Sequence, residues 1–144
     1  MTFMNHGINT SATIRGEAAA AMTAPAFLAV KFDANGKLAL PSAGDPCMGI
    51  ALADSEGVAA GDDLHVQIKD IGYWKAGAAV ARGAELATNA AGKCITATSG
   101  AFIMAIALEA ASAADDIIQV QIVKAGYKNG GSVAPLTLAG LTDV

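Results

Sequence analysis

Charge is scarce in this chain. Of 144 residues only 15% are charged, and the formal net charge is −4. Nucleic-acid binding requires a basic stripe to displace counterions, so that class is set aside. Aromatic residues are few as well, one Trp, two Tyr and four Phe, which leaves little for an aromatic ligand platform or a thick aromatic core. No apolar run approaches the roughly 20 residues that span a bilayer. Met1 to Ser11 is polar, lacks lysine and arginine, and is followed by no apolar h-region, so no secretory signal and no membrane role is expected.

The motifs of catalysis are missing too. There is no Gly-x-x-x-x-Gly-Lys-[Ser/Thr] loop and no Gly-x-Ser-x-Gly elbow, and Gly130-Gly131 lacks a strand-to-helix context. The two histidines, His6 and His65, have no Cys or second His at ligand spacing, so no zinc site is expected. His65 reads as a solvated strand residue. Asp54, Glu56, Asp62 and Asp63 bracket one loop, and Glu109, Asp115 and Asp116 bracket another. They lack the ordered spacing of a calcium loop. The simpler reading is that each Asp pair ends a loop, accepts hydrogen bonds from local amides and starts a strand. Cys47 and Cys94 read as small buried apolar residues. No cofactor, no metal and no enzyme activity is expected.

What is present is a pattern said twice. Asn35-Gly36-Lys37, Gly49-Ile50-Ala51-Leu52, Asp62-Asp63-Leu64, Val66-Gln67-Ile68 and Gly72-Tyr73 are echoed by Ala91-Gly92-Lys93, Ala105-Ile106-Ala107-Leu108, Asp115-Asp116-Ile117, Val120-Gln121-Ile122 and Gly126-Tyr127. Such self-similarity predicts one structural unit used twice, about 26–74 and 79–127. A catalytic constellation of unlike groups is rarely needed in duplicate. A fainter echo relates Ile14-Arg15-Gly16-Glu17 to Ala81-Arg82-Gly83-Ala84-Glu85.

Short apolar or alternating runs predict strands at Phe27–Phe32, Lys37–Leu40, Met48–Ala53, Leu64–Ile71, Ala84–Ala87, Lys93–Thr98, Phe102–Glu109 and Ile117–Lys124. Gly-bearing turns between them point to a small sandwich or barrel. Glu17–Met22 and Ala110–Ala114 are rich enough in Ala for a turn or so of helix. Lys75–Val80 would join the two units. Residues 1–24 form an N-terminal arm and lead-in, 25–127 the duplicated β domain and 128–144 a C-terminal tail. Tyr73 and Trp74 are adjacent, so in a strand they point to opposite faces: one into the core, the other to an interface or the barrel mouth. Trp74, with Leu136 and Leu138 of the apolar tail, is a candidate oligomer contact; the tail packs on a neighbouring subunit or on its own barrel. A surface so poor in charge favours self-association, which predicts a homo-oligomer or an assembly component.

One phrase carries a family resemblance. Lys75-Ala76-Gly77-Ala78-Ala79-Val80-Ala81-Arg82-Gly83-Ala84-Glu85-Leu86, the turn Gly92-Lys93, then Ile106-Ala107-Leu108-Glu109-Ala110-Ala111-Ser112-Ala113 and Asp115-Asp116-Ile117-Ile118 resemble the capsid cement, or head decoration, proteins of tailed bacteriophages. Gly49-Ile50-Ala51-Leu52 with Ala60-Gly61-Asp62 fits the same pattern. Ala105 and Ala114 depart from it, at places where Gly is usual. The resemblance covers about Ala26 to Lys124. It implies an all-β fold, a small β-barrel or β-tulip-like domain, commonly a homotrimer at three-fold positions on the outer capsid. It further implies a non-enzymatic protein that binds the major capsid protein, bridges its subunits and stabilises the expanded head. Its location would be the virion, after synthesis in the host cytoplasm. In that family an N-terminal arm adds to the capsid, and here Phe3, Met4, His6 and Ile8 would anchor it. The alternative expectation is a virion fibre or tail component, or a ligand-binding β module.

Overall fold

The protein is described by a computed structural model covering residues 12–52 and 57–129, and within these every regular element is a strand. The strands are β1 Thr13–Glu17, β2 Ala29–Phe32, β3 Leu38–Ala39, β4 Gly49–Ala51 and β5 Asp63–Gln67, then β6 Asp70–Lys75, β7 Glu85–Thr88, β8 Cys94–Thr96, β9 Phe102–Ala107 and β10 Ile117–Tyr127. They build two antiparallel five-stranded sheets, ordered β1-β5-β4-β2-β3 and β6-β10-β9-β7-β8. Strand for strand, the two orders are the same. The expected all-β class is what forms.

Local chemistry accounts for the likeness. In the β2–β3 turn, Asp33 Oδ1 accepts hydrogen bonds from the amides of Asn35 and Lys37, at 2.8 and 2.9 Å. In the β7–β8 turn, Asn89 Oδ1 accepts from Ala91 and Lys93, both at 2.9 Å. Each turn then needs a residue at positive φ, supplied by Gly36 (75°) and Gly92 (79°). Each sheet also curls: a parallel bridge brings Ala18 at the end of β1 beside Leu38, and another brings Ala76 at the end of β6 beside Cys94.

Three apolar clusters result, the smallest formed by Ala87, Ala97 and Ile103. The first sheet buries Val30, Leu38, Ala51, Leu64 and Val66 under Met22, Ile14 and Val58. The second buries Trp74, Leu86, Met104, Ile118 and Val120, and three residues from the first half, Ala29, Cys47 and Ile50, complete it. Full burial of such side chains is worth about 1.5–3 kcal/mol each. Backbone bonds stitch the same junction. Ala29 N–H donates to Gly92 O (2.7 Å), Lys75 N–H to Phe27 O (3.0 Å), Gly44 N–H to Thr88 O (2.9 Å) and Phe102 N–H to Gly44 O (3.0 Å). The core of the second half is not complete without the first.

Five expectations are corrected here. Glu17–Met22 is not helical, because the amides of Ala18, Ala19 and Met22 donate to Asp62, Leu38 and Val58 of other segments. Likewise Ala111 exchanges two backbone bonds with Val80 instead of opening a helical turn; in both places tertiary pairing overrides alanine's helix propensity. Leu64–Ile71 is not one strand. Asp70 sits at φ 70°, and the chain leaves the first sheet after Gln67 and enters the second at Asp70. The crossing therefore lies at Ile68-Lys69, whereas Lys75 ends a strand and Lys75–Val80 lies inside the second half. Finally, Ile14–Glu17 corresponds to β6 by strand order, not to Ala81–Glu85.

Candidate functional site

Among the described residues no three His, Cys, Asp or Glu side chains gather as metal ligands would. The loop carboxylates serve the loops themselves. Asp62 Oδ2 accepts from Ala59 N–H at 2.9 Å. Asp116 Oδ2 accepts from the amides of Ser112 and Ala113 and from the Ser112 hydroxyl, at 2.9, 3.2 and 3.0 Å. These bonds, the Ser112 amide foremost, hold the Asp116 carboxyl below its ordinary range. Asp115 is lowered by its hydrogen bond from Lys93 Nζ, 2.6 Å away, and Asp45 by the same kind of bond from Lys31 Nζ, also 2.6 Å. Glu109 Oε1 accepts from Gln119 N–H at 2.8 Å. Asp54 and Glu56 lie outside the described residues.

The other titratable candidates are equally settled. Cys47 and Cys94 are free, buried thiols, each pushed up to about 12 by burial, so neither is a nucleophile at neutral pH. His65 is exposed on β5 directly across from Arg15. An open groove of about 260 Å³ lies between Gly44 and the β7–β8–β9 side of the second sheet, lined by Thr88, Ile95, Thr98, Ser99 and Ala101. It holds hydroxyls and small apolar groups, with no acid or base for proton transfer.

What remains is surface. Trp74, expected as an oligomer contact, is completely buried in the chain's own core, its Nε1–H donating to Gly92 O at 2.8 Å. Tyr73, its opposite neighbour, is 49% exposed and meets Phe27 edge-on, ring centroids 6.2 Å apart. Beside Tyr73 on the outer face of β6 and β10 are Ile71, 55% exposed, and Ile117, 46% exposed. The adjacent pair Ile117-Ile118 carries a further sequence signal for this face, since in a strand one member of such a pair must face outward. The anchor candidates Phe3, Met4, His6 and Ile8, and the tail candidates Leu136 and Leu138, lie outside the described residues.

The described surface thus combines loop acids engaged in hydrogen bonds with an apolar outer face on β6 and β10. The family model for phage cement proteins matches residues 47–122, from the loop before β4 into β10. The chain belongs to the phage cement protein family. The matched span takes in β4 and β5 of the first sheet, crosses into the second and ends within β10. Membership places the chain among capsid-associated structural proteins of bacteriophages. Among solved structures, it resembles the head fiber gp8.5 N base of bacteriophage phi29, with TM-score 0.62 and 15% identity over 83% of this chain and 100% of that one. At that identity the match speaks for the fold alone. No curated protein matches the chain. Within a cement protein, interlocked sheets and buried thiols suit a part that must keep its shape.

Proposed function

We propose that this cement protein decorates the outer surface of a phage head, where it bridges neighbouring major capsid subunits and stabilises the expanded shell without catalysis. It acts as a homotrimer, made in the host cytoplasm and incorporated into the virion. The observation that carries this reading is the family match across residues 47–122, which includes the junction between the sheets. The structure supports it at the junction between the sheets, where Gly92 O receives both Ala29 N–H and Trp74 Nε1–H. As a general matter, many weak contacts on a lattice hold together by avidity, so such a role needs no single deep pocket.

The segment 1–11 is the proposed capsid anchor, with Phe3, Met4, His6 and Ile8 as its contacts; an extended arm gains main-chain hydrogen bonds by adding to a sheet edge or groove. The similarity to a head fiber base favours a second reading, a base that carries a fibre on the same shell. Heating undecorated expanded capsids with and without the protein separates support from mere attachment. Cement raises the temperature of shell disruption, whereas a fibre base binds and leaves it unchanged. Removing Met1–Ser11 should abolish binding while cooperative unfolding of the isolated protein persists. Full occupancy by the truncated protein sinks the arm assignment.

A further inference from the structure

The described residues end at Asn129, next to the open groove on the second sheet. Thr98, Ser99, Gly100 and Ala101 line that groove, and Gly44 of the first half is held against it by its bonds with Thr88 and Phe102. Lys128 is already paired with this lining. Its N–H donates to Ala101 O at 2.8 Å, and its O accepts from Gly100 N–H at 2.7 Å. Its ammonium is fixed by Glu85, 2.6 Å away. The pairing continues the antiparallel ladder in which Tyr127 stands opposite Phe102. A chain leaving Lys128 in this direction runs past Gly100 toward Ser99 and Thr98, along the groove itself.

We infer that this groove is the seat of the chain's own C-terminal tail, with the aliphatic side chains of 133–138 lying in it. Groove and tail match in character. No charged side chain lines the groove, and Ile95 is its one bulky aliphatic wall. Residues 129–142 carry no charge, while Val133, Leu136 and Leu138 are aliphatic. The groove's volume of about 260 Å³ exceeds the roughly 150 Å³ of an apolar cavity that accepts benzene. The hydroxyls of Thr98 and Ser99 can serve the backbone of an extended segment. Gly130-Gly131 has no side chain to hinder a close approach at the entrance. Leu136 stands seven residues past Asn129, a reach of at most about 25 Å, and the groove begins at the tail's own root. A segment tethered there acts at an effective concentration on the order of millimolar, which favours the chain's own groove over a neighbour's. Leu136 and Leu138 then serve their own barrel and are not open to another subunit. This holds whether or not the chain binds capsids.

The test is residue-resolved hydrogen exchange of the full-length protein at two concentrations, with variants on both sides of the contact. Leu136→Asp/Leu138→Asp places charge on the tail, and Ile95→Ser removes the aliphatic wall of the groove. Thr98→Arg, at an exposed position of the lining, blocks the groove without touching the sheet and serves if Ile95→Ser loosens it. In the wild type the amides of 133–138 should exchange at least about tenfold more slowly than those of an unstructured chain, equally at both concentrations. The tail variant and the groove variants should each restore fast exchange there, while the amides of β9 and β10 stay protected. The tail variant should also speed exchange at Ser99. A wild-type tail that exchanges at the unstructured rate overturns the proposal. So does tail protection that survives both groove variants. Protection that fades on dilution also overturns it, because the tail then sits on a neighbouring copy.

Discussion

Gly36 and Gly92 are the same turn residue in two sheets, and they should respond very differently to alanine. Both hold positive φ, at 75° and 79°, which costs an L-residue roughly 1–2 kcal/mol. A Cβ on Gly36 meets nothing within 4 Å, so Gly36→Ala should lose about that amount and no more. A Cβ on Gly92 would fall 2.8 Å from Ala29 O and 3.2 Å from Leu28 Cβ, both in the other half of the molecule. Backbone shift there adds about 1–3 kcal/mol of overpacking. It also disturbs two bonds to Gly92 O, from Ala29 N–H and Trp74 Nε1–H, each worth about 0.5–1.5 kcal/mol. Gly92→Ala should therefore lose about 3–8 kcal/mol, a large share of the 5–15 kcal/mol that stabilises an ordinary domain. Urea unfolding followed by the emission of Trp74, the only tryptophan, reads both variants. Equal losses would refute the claim that the two sheets are locked together at this turn.

Three further outcomes follow from the same geometry. Gln67→Ala should cost about 1–3 kcal/mol in urea unfolding, because Lys69 O and Ile71 O lose their donor, whereas Gln121→Ala at the equivalent exposed position should cost little. Asp45, Asp115 and Asp116 all have depressed folded-state pKa values, so their contribution is complete above the unfolded carboxylate range near 4 and is lost as pH falls from there through the lower folded-state values; the urea midpoint should drop on acidification, and Asp116→Asn should flatten that limb. Cys47 and Cys94 should resist a thiol reagent at pH 8 in the folded protein and react fully in denaturant; fast labelling of the native chain would contradict their burial.

Residue patterns made much of this architecture readable. Alternation in Ile117–Ile122 marked a half-buried strand, Asn35-Gly36 marked a turn, and the Asp pairs marked loop ends that Asp62 and Asp116 do close. Hidden from the sequence was everything decided at a distance. Leu64, Val66 and Ile68 alternate without interruption, yet the strand ends at Gln67, because that side chain turns back to bond Lys69 O and Ile71 O. Polyalanine near Ala18 looks helical until Asp62 and Leu38 supply carbonyls from other strands. The choice between Tyr73 and Trp74 depends on which face meets Ala29 and Ile50, and those arrive from the other sheet. Phe3, Met4 and Ile8 could be chosen only by their apolar character within a polar segment.

The most direct measurement is electron cryomicroscopy of expanded, undecorated heads of the cognate phage after incubation with the purified protein. The proposed function predicts extra density on the outer surface at three-fold positions, touching more than one major capsid subunit and fitted by the two-sheet body. Bare capsids at saturating protein, or density confined to a single capsid subunit, would contradict it.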